Sequence, residues 1–525
     1  MTATARAEPA IDHASLPAVT LDAAQLGDLE LILSGAFAPL RGFMTQDDVT
    51  AVTERGELPD GTPWPVPVVL EVPGSVIGPS AGHALLADPE GTPLAVLTIT
   101  ERAGPDLAGK VRLAGPVSGH RTPEHGSFRR LMISPDEARE RLGDGPVLAF
   151  ATRCPLGRRQ IGQLRHLAGQ LKARILLLPL VAGPAEVVRR PEALIRVVLA
   201  AAASLPPGTE VVPVPLARRA GEGRPADGLS WPERELAVTA MVAAAYGATH
   251  LMADGWHGPA GGTGLVASAE TLPGAPIPVI PAGDWAYDPR AEVWRPLALI
   301  ETGTEIGDLS ADHLGDMLDA GAEIPPWLAP DAVAAELRHA RPPRSERGFV
   351  IFLTGLSGSG KSTIARDLRD VLAERSDRRV SLLDGDLVRS LLSAGLSFAR
   401  ADRDLNVARI GFVATEIAKH GGIAICAPIA PYAAARQRVR TLVSEVGDFL
   451  LIHVATPIEV CEQRDRKGLY AKARAGLIEQ FTGVSDPYEE PDDAVLVLDT
   501  SVVSRQEATG AILDLLVSGG WLSGL

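Results

Sequence analysis

"FVIFLTGLSGSGKSTIARDLRDVL", residues 349–372, decides the fold of its part of the chain. The apolar run Phe349 to Leu353 reads as a buried strand, and the residues after Lys361 read as a helix. Between them, Gly355 to Ser362 fits G-x-x-x-x-G-K-[ST] with the strand before it and the helix after it that this motif requires. Gly355, Gly358 and Gly360 let the backbone N–H groups of the loop, through Ser357, Ser359 and Thr363, turn toward phosphate oxygens. Lys361 reaches the β- and γ-phosphates, and the Ser362 hydroxyl suits Mg²⁺. The stretch predicts a nucleoside-triphosphate site in an α/β domain.

Downstream, "RVSLLDGDLVRSLL" (379–392) puts Asp384 and Asp386 at the end of a second strand, where open α/β sheets bind ligands. Such a pair could orient or deprotonate a hydroxyl attacking the γ-phosphate, or help to hold magnesium. The alternative is a solvated turn that uses Asp and Gly for their backbone preferences. "GLSFARADRDLNVARIG" (395–411) then strings Phe398, Arg400, Arg403, Asn406 and Arg409 along a loop and a helix start. Arg403, Asn406 and Arg409 share one helical face by their spacing. Guanidiniums beside an aromatic suit an anionic nucleotide, whose base stacks while its phosphate or sulfate is forked. "RDRKGLYAKARAG" (464–476), dense in basic residues and flanked by glycines, reads as a lid closing on anions or as a solvated basic helix.

Upstream, "HARPPRSERG" (339–348) has paired prolines and mixed charges and predicts a linker. Residues 144–338 alternate apolar runs ("PVLAFAT", "ARILLLPLV", "TEVVPVPL", "ATHLMAD", "IPVIPA") with helical stretches ("PEALIRVVLAAAASL", "ERELAVTAMVAAAYG"), which predicts a second α/β domain with a mainly parallel sheet. Residues 1–143 read as short strands and turns around a helical entry, with a hairpin turn at "ADPEGTPLAVL".

Composition limits the partners. The chain has 525 residues, 46% hydrophobic and 22% charged, with a net charge of -15. That balance argues against a nucleic-acid or membrane-surface role, which needs a basic patch. Cys154, Cys426 and Cys461 are too few and too scattered for a disulfide framework or a zinc site. Neither a signal peptide nor an apolar span of membrane length is evident, so a cytoplasmic enzyme is expected.

"GLSGSGKST", "LDGD-x-VR", "GL-x-F-x-x-x-DR-x-x-N-x-x-R", "RDRKGLYAKARAG" and "FTGVSDPYEEP" together resemble the adenylyl-sulfate kinases, over residues 348–500. That family transfers the γ-phosphate of ATP to the 3′-hydroxyl of adenosine 5′-phosphosulfate (APS), giving 3′-phosphoadenosine 5′-phosphosulfate (PAPS). The resemblance implies a P-loop kinase domain at 349–525, using ATP with Mg²⁺, with Lys361, Asp384 and Asp386 as its catalytic groups. It implies that Arg464 and Lys467 join the P-loop residues in holding ATP. Asp386, Arg389, Phe398, Arg403, Asn406, Ile429, Lys472 and Phe481 would hold APS, with Phe398 and Phe481 sandwiching its adenine. Two positions depart from the family. Leu387 stands where asparagine is frequent, and Ala430 stands where many members carry a serine treated as a phosphorylated intermediate. Direct transfer needs no phosphoserine, so kinase activity is expected without a phosphoenzyme.

"DLELILSGAFAPLRGFM" (28–44), "LLLPLVAGP" and "ETGTEIGDLS" resemble, in order, landmarks of the ATP sulfurylases, which make APS from ATP and sulfate. This second resemblance implies an N-terminal mainly β, PUA-like domain at 1–143 and a Rossmann-type sulfurylase-like domain at 144–338. Its chemical motifs are eroded. Where the family has Q-T-R-N-P-x-H-x-x-H, this chain reads Ala151-Thr152-Arg153-Cys154-Pro155-Leu156-Gly157-Arg158-Arg159-Gln160. Both histidines, which meet ATP phosphates, are gone. Where G-R-D-H-A-G is usual, "GATHLMADGWHGPAGG" keeps His257, with Gly255 and Trp256 in place of arginine and aspartate. The expectation is a degenerate site marked by Arg153, Arg158, Arg159 and His257. The region would then serve as a structural, oligomer-forming module (dimer or higher), a regulatory pocket, or a transferase for another anion. Two rivals stay open: a bifunctional enzyme whose arginines replace the histidines, and a kinase of another nucleotide-like alcohol.

Overall fold

The computed structural model describes residues 16–523 except 107–108, 122–125, 184, 220–228, 257–271, 302, 305–306, 398, 466–467 and 479. The side chains of Asp386, Leu387 and Arg389 also lie outside that description. The chain forms two compact units, Met1–Asp312 with Ile324–Leu337, and His313–Glu323 with Arg338–Leu525.

In the first unit, Lys110–Gly119 is the hub of a mostly antiparallel seven-stranded sheet. It pairs with Leu70–Pro73, Glu101–Ala103, Gly42–Phe43 and Pro93–Thr98. The expected hairpin joins His83–Ala87 to Pro93–Thr98, its turn held by the Asp88 carboxylate accepting from the backbone N–H groups of Glu90 and Thr92. The entry helix Ala23–Leu33 starts at a capping box made by Asp22 and Gln25 and buries Leu26, Leu29 and Leu31.

A five-stranded parallel sheet follows in the same unit. Its order is Glu210–Val211, Arg174–Pro179, Val147–Thr152, His250–Ala253, Val279–Pro281. "TEVVPVPL" shrinks to a two-residue strand plus a single bridge from Val214 to Leu180. Pro213 and Pro215 cannot donate to a ladder, which stops the pairing there. One core runs from Val19 through Leu113, Val147 and Val238 to Val279, so the β-rich segment and this α/β segment bury their apolar faces together.

In the second unit, a parallel sheet is ordered Val380–Asp384, Ile423–Ala427, Phe349–Thr354, Asp448–Val454, Leu496–Leu498. The central strand is buried on both faces. Phe349, Ile351 and Leu353 enter one core with the helix Lys361–Arg375, while Val350 and Phe352 enter the other with the helix Arg400–Lys419. That period-2 split explains why the run is continuously apolar rather than alternating.

The stretch 341–347 is fastened to this unit. Arg341 donates to the Asp319 carboxylate at 2.6 and 2.9 Å, Arg347 at 2.6 Å, and Arg344 lies 3.3 Å away. Arg344 also stacks over Trp521, whose indole N–H donates to Asp448. Burial alone would lift the Asp319 carboxyl, but the arginine hydrogen bonds and charges outweigh it and hold its pKa at about 2.

Candidate active site

The strand Phe349–Thr354 delivers its C-terminal end into the glycine-rich loop, and the helix from Lys361 leaves it. Gly355, Gly358 and Gly360 have φ of 148°, 78° and 103°. A Cβ at Gly355 would stand 2.4 Å from the Val454 carbonyl oxygen, and one at Gly358 2.9 Å from that of Cys461. The motif therefore needs glycine for both conformation and space. The Lys361 ammonium folds back to donate to the carbonyls of Gly355 (2.8 Å) and Leu356 (2.6 Å), so it is already aimed across the loop's concave side.

The loop opens on a cavity of about 830 Å³. Of the expected residues, Ser357, Gly358, Gly360, Lys361, Ser362, Thr363, Asp384, Arg403, Asn406, Ile429, Arg464 and Phe481 line it. Gly355 and the buried Ser359 brace the loop from behind. Asp384, the last residue of its strand, is buried; its Oδ1 lies 3.5 Å from the Ser362 hydroxyl and its Oδ2 accepts from Arg366 at 2.9 Å. Hydroxyl and carboxylate oxygens side by side at a helix N-terminus form a hard-donor set that fits Mg²⁺, which takes one or two carboxylates and leaves its other positions to water and phosphate.

At the cavity's other end, Arg403 donates to Thr482 at 2.6 Å, pairs with Asp486 at 2.8 Å and lies over the Tyr432 ring. Its Nε and the Oδ1 of Asn406 are buried without a hydrogen-bond partner. Such atoms are costly unless a ligand or water meets them. The Tyr432 hydroxyl donates to the same Asp486, and burial plus that bond push its pKa up to about 12. The expected row is shorter than its spacing suggested, because Arg409 turns away to donate to the Leu392 carbonyl at 2.6 Å.

In the basic segment Arg464 ends the helix Ile458–Arg464, and Leu469–Arg474 forms the next helix. Asp465 caps the second helix, accepting from the N–H groups of Leu469 and Ala471. Tyr470 closes the segment onto the phosphate loop, donating to the Ser357 carbonyl at 2.9 Å and packing edge-on against Phe481 at 5.0 Å. Arg464 donates to the hydroxyl and carbonyl of Thr500, which itself donates to the Ser359 carbonyl. Lys472 and Arg474 are exposed, and Arg474 is engaged by Glu462. Phe398, Lys467 and His257 lie outside the described residues, as do the side chains of Asp386 and Arg389. Arg366, Tyr470, Thr482 and Thr500 were not singled out from sequence; only their long-range partners identify them.

The first unit has a second strand-end site. Val147–Thr152 sits between Arg174–Pro179 and His250–Ala253, where the sheet order reverses and α/β proteins open a ligand crevice. The helix Arg158–Leu171 starts there, and so does Asp254. Arg159 forks onto Asp254 at 2.7 and 2.8 Å and donates through Nε to Asp308 at 2.6 Å, while Gln160 donates to Asp254 at 3.1 Å. Arg158 donates to the Pro326 carbonyl. Arg153 donates to the Leu216 carbonyl and pairs with Glu235 at 3.2 Å. Cys154 donates to Glu186 at 2.9 Å, and burial together with that carboxylate pushes its thiol pKa up to about 12. Burial opposes the Arg159 charge, but Asp254 and Asp308 more than restore it and raise its pKa. Each of these three arginines is thus met by the protein's own oxygens.

No helix among the described residues is long and apolar enough to cross a membrane. Residues 347–499 match the family model for adenylylsulphate kinase, and residues 1–136 match that for a PUA-like domain. A sulfate adenylyltransferase of Phaeosphaeria nodorum is 37% identical over 97% of this chain and 95% of its own length. One from Aspergillus terreus is 36% identical over 99% and 96%. A solved structure described as a hexameric APS kinase from Thiobacillus denitrificans is 34% identical, covers 97% of this chain and 94% of its own, and superposes with a TM-score of 0.70.

Proposed function

Since the chain belongs to the sulfate adenylyltransferase family and carries an adenylylsulfate kinase domain, we propose that it is an ATP- and Mg²⁺-dependent APS kinase. On this reading residues 349–525 make PAPS, while residues 1–143 and 144–338 form a sulfurylase-like scaffold without sulfurylase chemistry. The observation that carries the reading is the contrast between the two strand-end sites. One is an open cavity with a complete phosphate loop; the other has its arginines consumed by Asp254, Asp308 and Glu235.

In the kinase, loop N–H groups and the start of the Lys361 helix bind the ATP phosphates, and Lys361 exchanges its loop carbonyls for phosphate oxygens. Ser362 and Asp384 would hold Mg²⁺, which supplies positive charge to the transferring phosphate. Arg403 turns its orphaned Nε–H, and Asn406 its amide N–H group, to the phosphosulfate of APS, and Arg389 and Lys472 are the further basic residues that the resemblance implies. Phe481 would stack on one face of the adenine, and Phe398 is the residue that the resemblance implies for the other. The 3′-oxygen attacks the γ-phosphorus, the bond to the ADP oxygen breaks, and the hydroxyl proton passes to Asp386, Asp384 being engaged by the metal. Ala430 has no hydroxyl to phosphorylate, so transfer is direct. The hexameric relative supports homo-oligomeric assembly, for which the sulfurylase-like region is the natural scaffold.

The relatives named sulfate adenylyltransferases favour a second reading, in which both steps survive. Product analysis on the full-length protein separates the two. With Mg·ATP, one reaction receives APS and the other sulfate plus pyrophosphatase. PAPS from APS alone supports the kinase with a silent sulfurylase. PAPS from both supports the bifunctional enzyme, and none from APS overturns the proposal.

A further inference from the structure

Arg366 was not singled out from the sequence, yet it reaches a buried carboxylate of the kinase site. It lies one turn beyond Ser362 on the same face of the Lys361–Arg375 helix, and the two side chains converge on Asp384. Ser362 faces Oδ1, and Arg366 holds Oδ2 at 2.9 Å. The two ends of this ion pair differ. The Asp384 side chain is 8% exposed, whereas that of Arg366 is 60% exposed and borders the cavity. The arginine is therefore held at its tip and not packed in place.

We propose that Arg366 is a resident counter-ion for Asp384 that couples metal binding to nucleotide binding. The inference rests on the reading above, in which Asp384 is a donor to Mg²⁺. A guanidinium and a divalent cation cannot share that carboxylate without like-charge repulsion in a partly desolvated site. Without nucleotide, Arg366 neutralises the buried carboxylate and competes with free metal. When a nucleotide brings phosphate oxygens into the cavity, they offer the guanidinium a second anionic partner, and Asp384 is released to the metal. Arg366 is in this sense a positioning residue. It acts on the reaction through Asp384, and its consequence is that metal and nucleotide enter together.

The test measures Mn²⁺ binding by electron paramagnetic resonance on the full-length protein, with and without ADP, so that no turnover is involved. Arg366→Met keeps the aliphatic stem and removes the charge. Arg366→Lys keeps a charge on a shorter, non-forking group. Without ADP, R366M should bind Mn²⁺ about twofold to fivefold more tightly than wild type, the range expected for a solvent-exposed ion pair, and R366K should fall between them. The enhancement of Mn²⁺ affinity by ADP should shrink in R366M by the same factor. Unchanged or weaker Mn²⁺ binding by R366M without ADP overturns the inference, and R366K reports the same comparison if R366M folds poorly. Asp384→Asn separates the two readings. If it leaves Mn²⁺ affinity in the presence of ADP intact, Asp384 is not a metal donor and the counter-ion role falls with it, while PAPS formation from APS still judges the kinase.

Discussion

Replacing Asp319 by Asn should destabilise the C-terminal unit while leaving its active site untouched. The carboxylate collects Arg341, Arg344 and Arg347 from a proline-containing segment and is only 8% exposed. Its pKa of about 2, against 3.8 for an ordinary aspartate, is a difference of roughly two units in favour of the charged form. At about 1.4 kcal/mol per unit this corresponds to about 2.5 kcal/mol. Because the folded-state value is depressed, that stability is complete above about pH 4 and is lost as the pH falls through 2. For a unit of about 200 residues, where 1 kcal/mol moves the midpoint by about 2–4 °C, D319N should lower it by about 5–10 °C at pH 7.5. Differential scanning calorimetry on the full chain provides the assay, the relevant transition being the one that Mg·ADP raises. In urea titrations the gap between variant and wild type should close between pH 4 and pH 2. A shift below 1 °C at pH 7.5, or a gap that ignores pH over that interval, would refute the reasoning.

Substitutions at three further positions probe the kinase unit. Gly411→Ala, on a helix where alanine is normally the better residue, should instead cost about 1–3 kcal/mol, because its Cβ would meet Val439 at 2.6 Å; chemical denaturation reads this directly. Ala430 is buried at φ 45°, so Ala430→Val should cost about 1–3 kcal/mol while Ala430→Gly stays within about 1 kcal/mol of wild type in the same measurement. Tyr470→Phe removes the bond to the Ser357 carbonyl and should raise the KM for ATP about twofold to fivefold with kcat little changed, measured by steady-state kinetics.

The elements that a local pattern encodes were legible in advance. The run Phe349–Leu353 and the helix after Lys361 stand where the motif puts them, and the strands Val147–Thr152, Arg174–Pro179 and His250–Ala253 fall inside their apolar runs. Reading failed where two signals competed. The apolar run "TEVVPVPL" suggested a full strand that its prolines cut to two residues and a bridge. Arg409 has the spacing of a ligand-facing residue, but the Leu392 carbonyl claims it. The electrostatic character of both sites was the least visible. Arg159 meets partners 95 and 149 residues away, and Arg366 meets one 18 residues away across a strand and a turn. No periodicity links such pairs, because they are made by the sheet order and not by the helix or strand that carries each residue.

The bidentate lock of Arg159 on Asp254, with Asp308 behind it, bears on how this region can evolve. The histidine positions of the motif it resembles fall at Gly157 and Gln160: a side chain at Gly157 would stand 2.9 Å from the Leu328 carbonyl oxygen, and exchanging Gln160 would remove its bonds to Asp254 and to the Gly157 N–H. Loss of Asp254 or Asp308 would leave Arg159 under-compensated in turn. Each such single change therefore carries a folding cost of its own. The crevice behaves as an epistatic lock: its side chains are bound to one another closely enough that a change at one position calls for changes at the others.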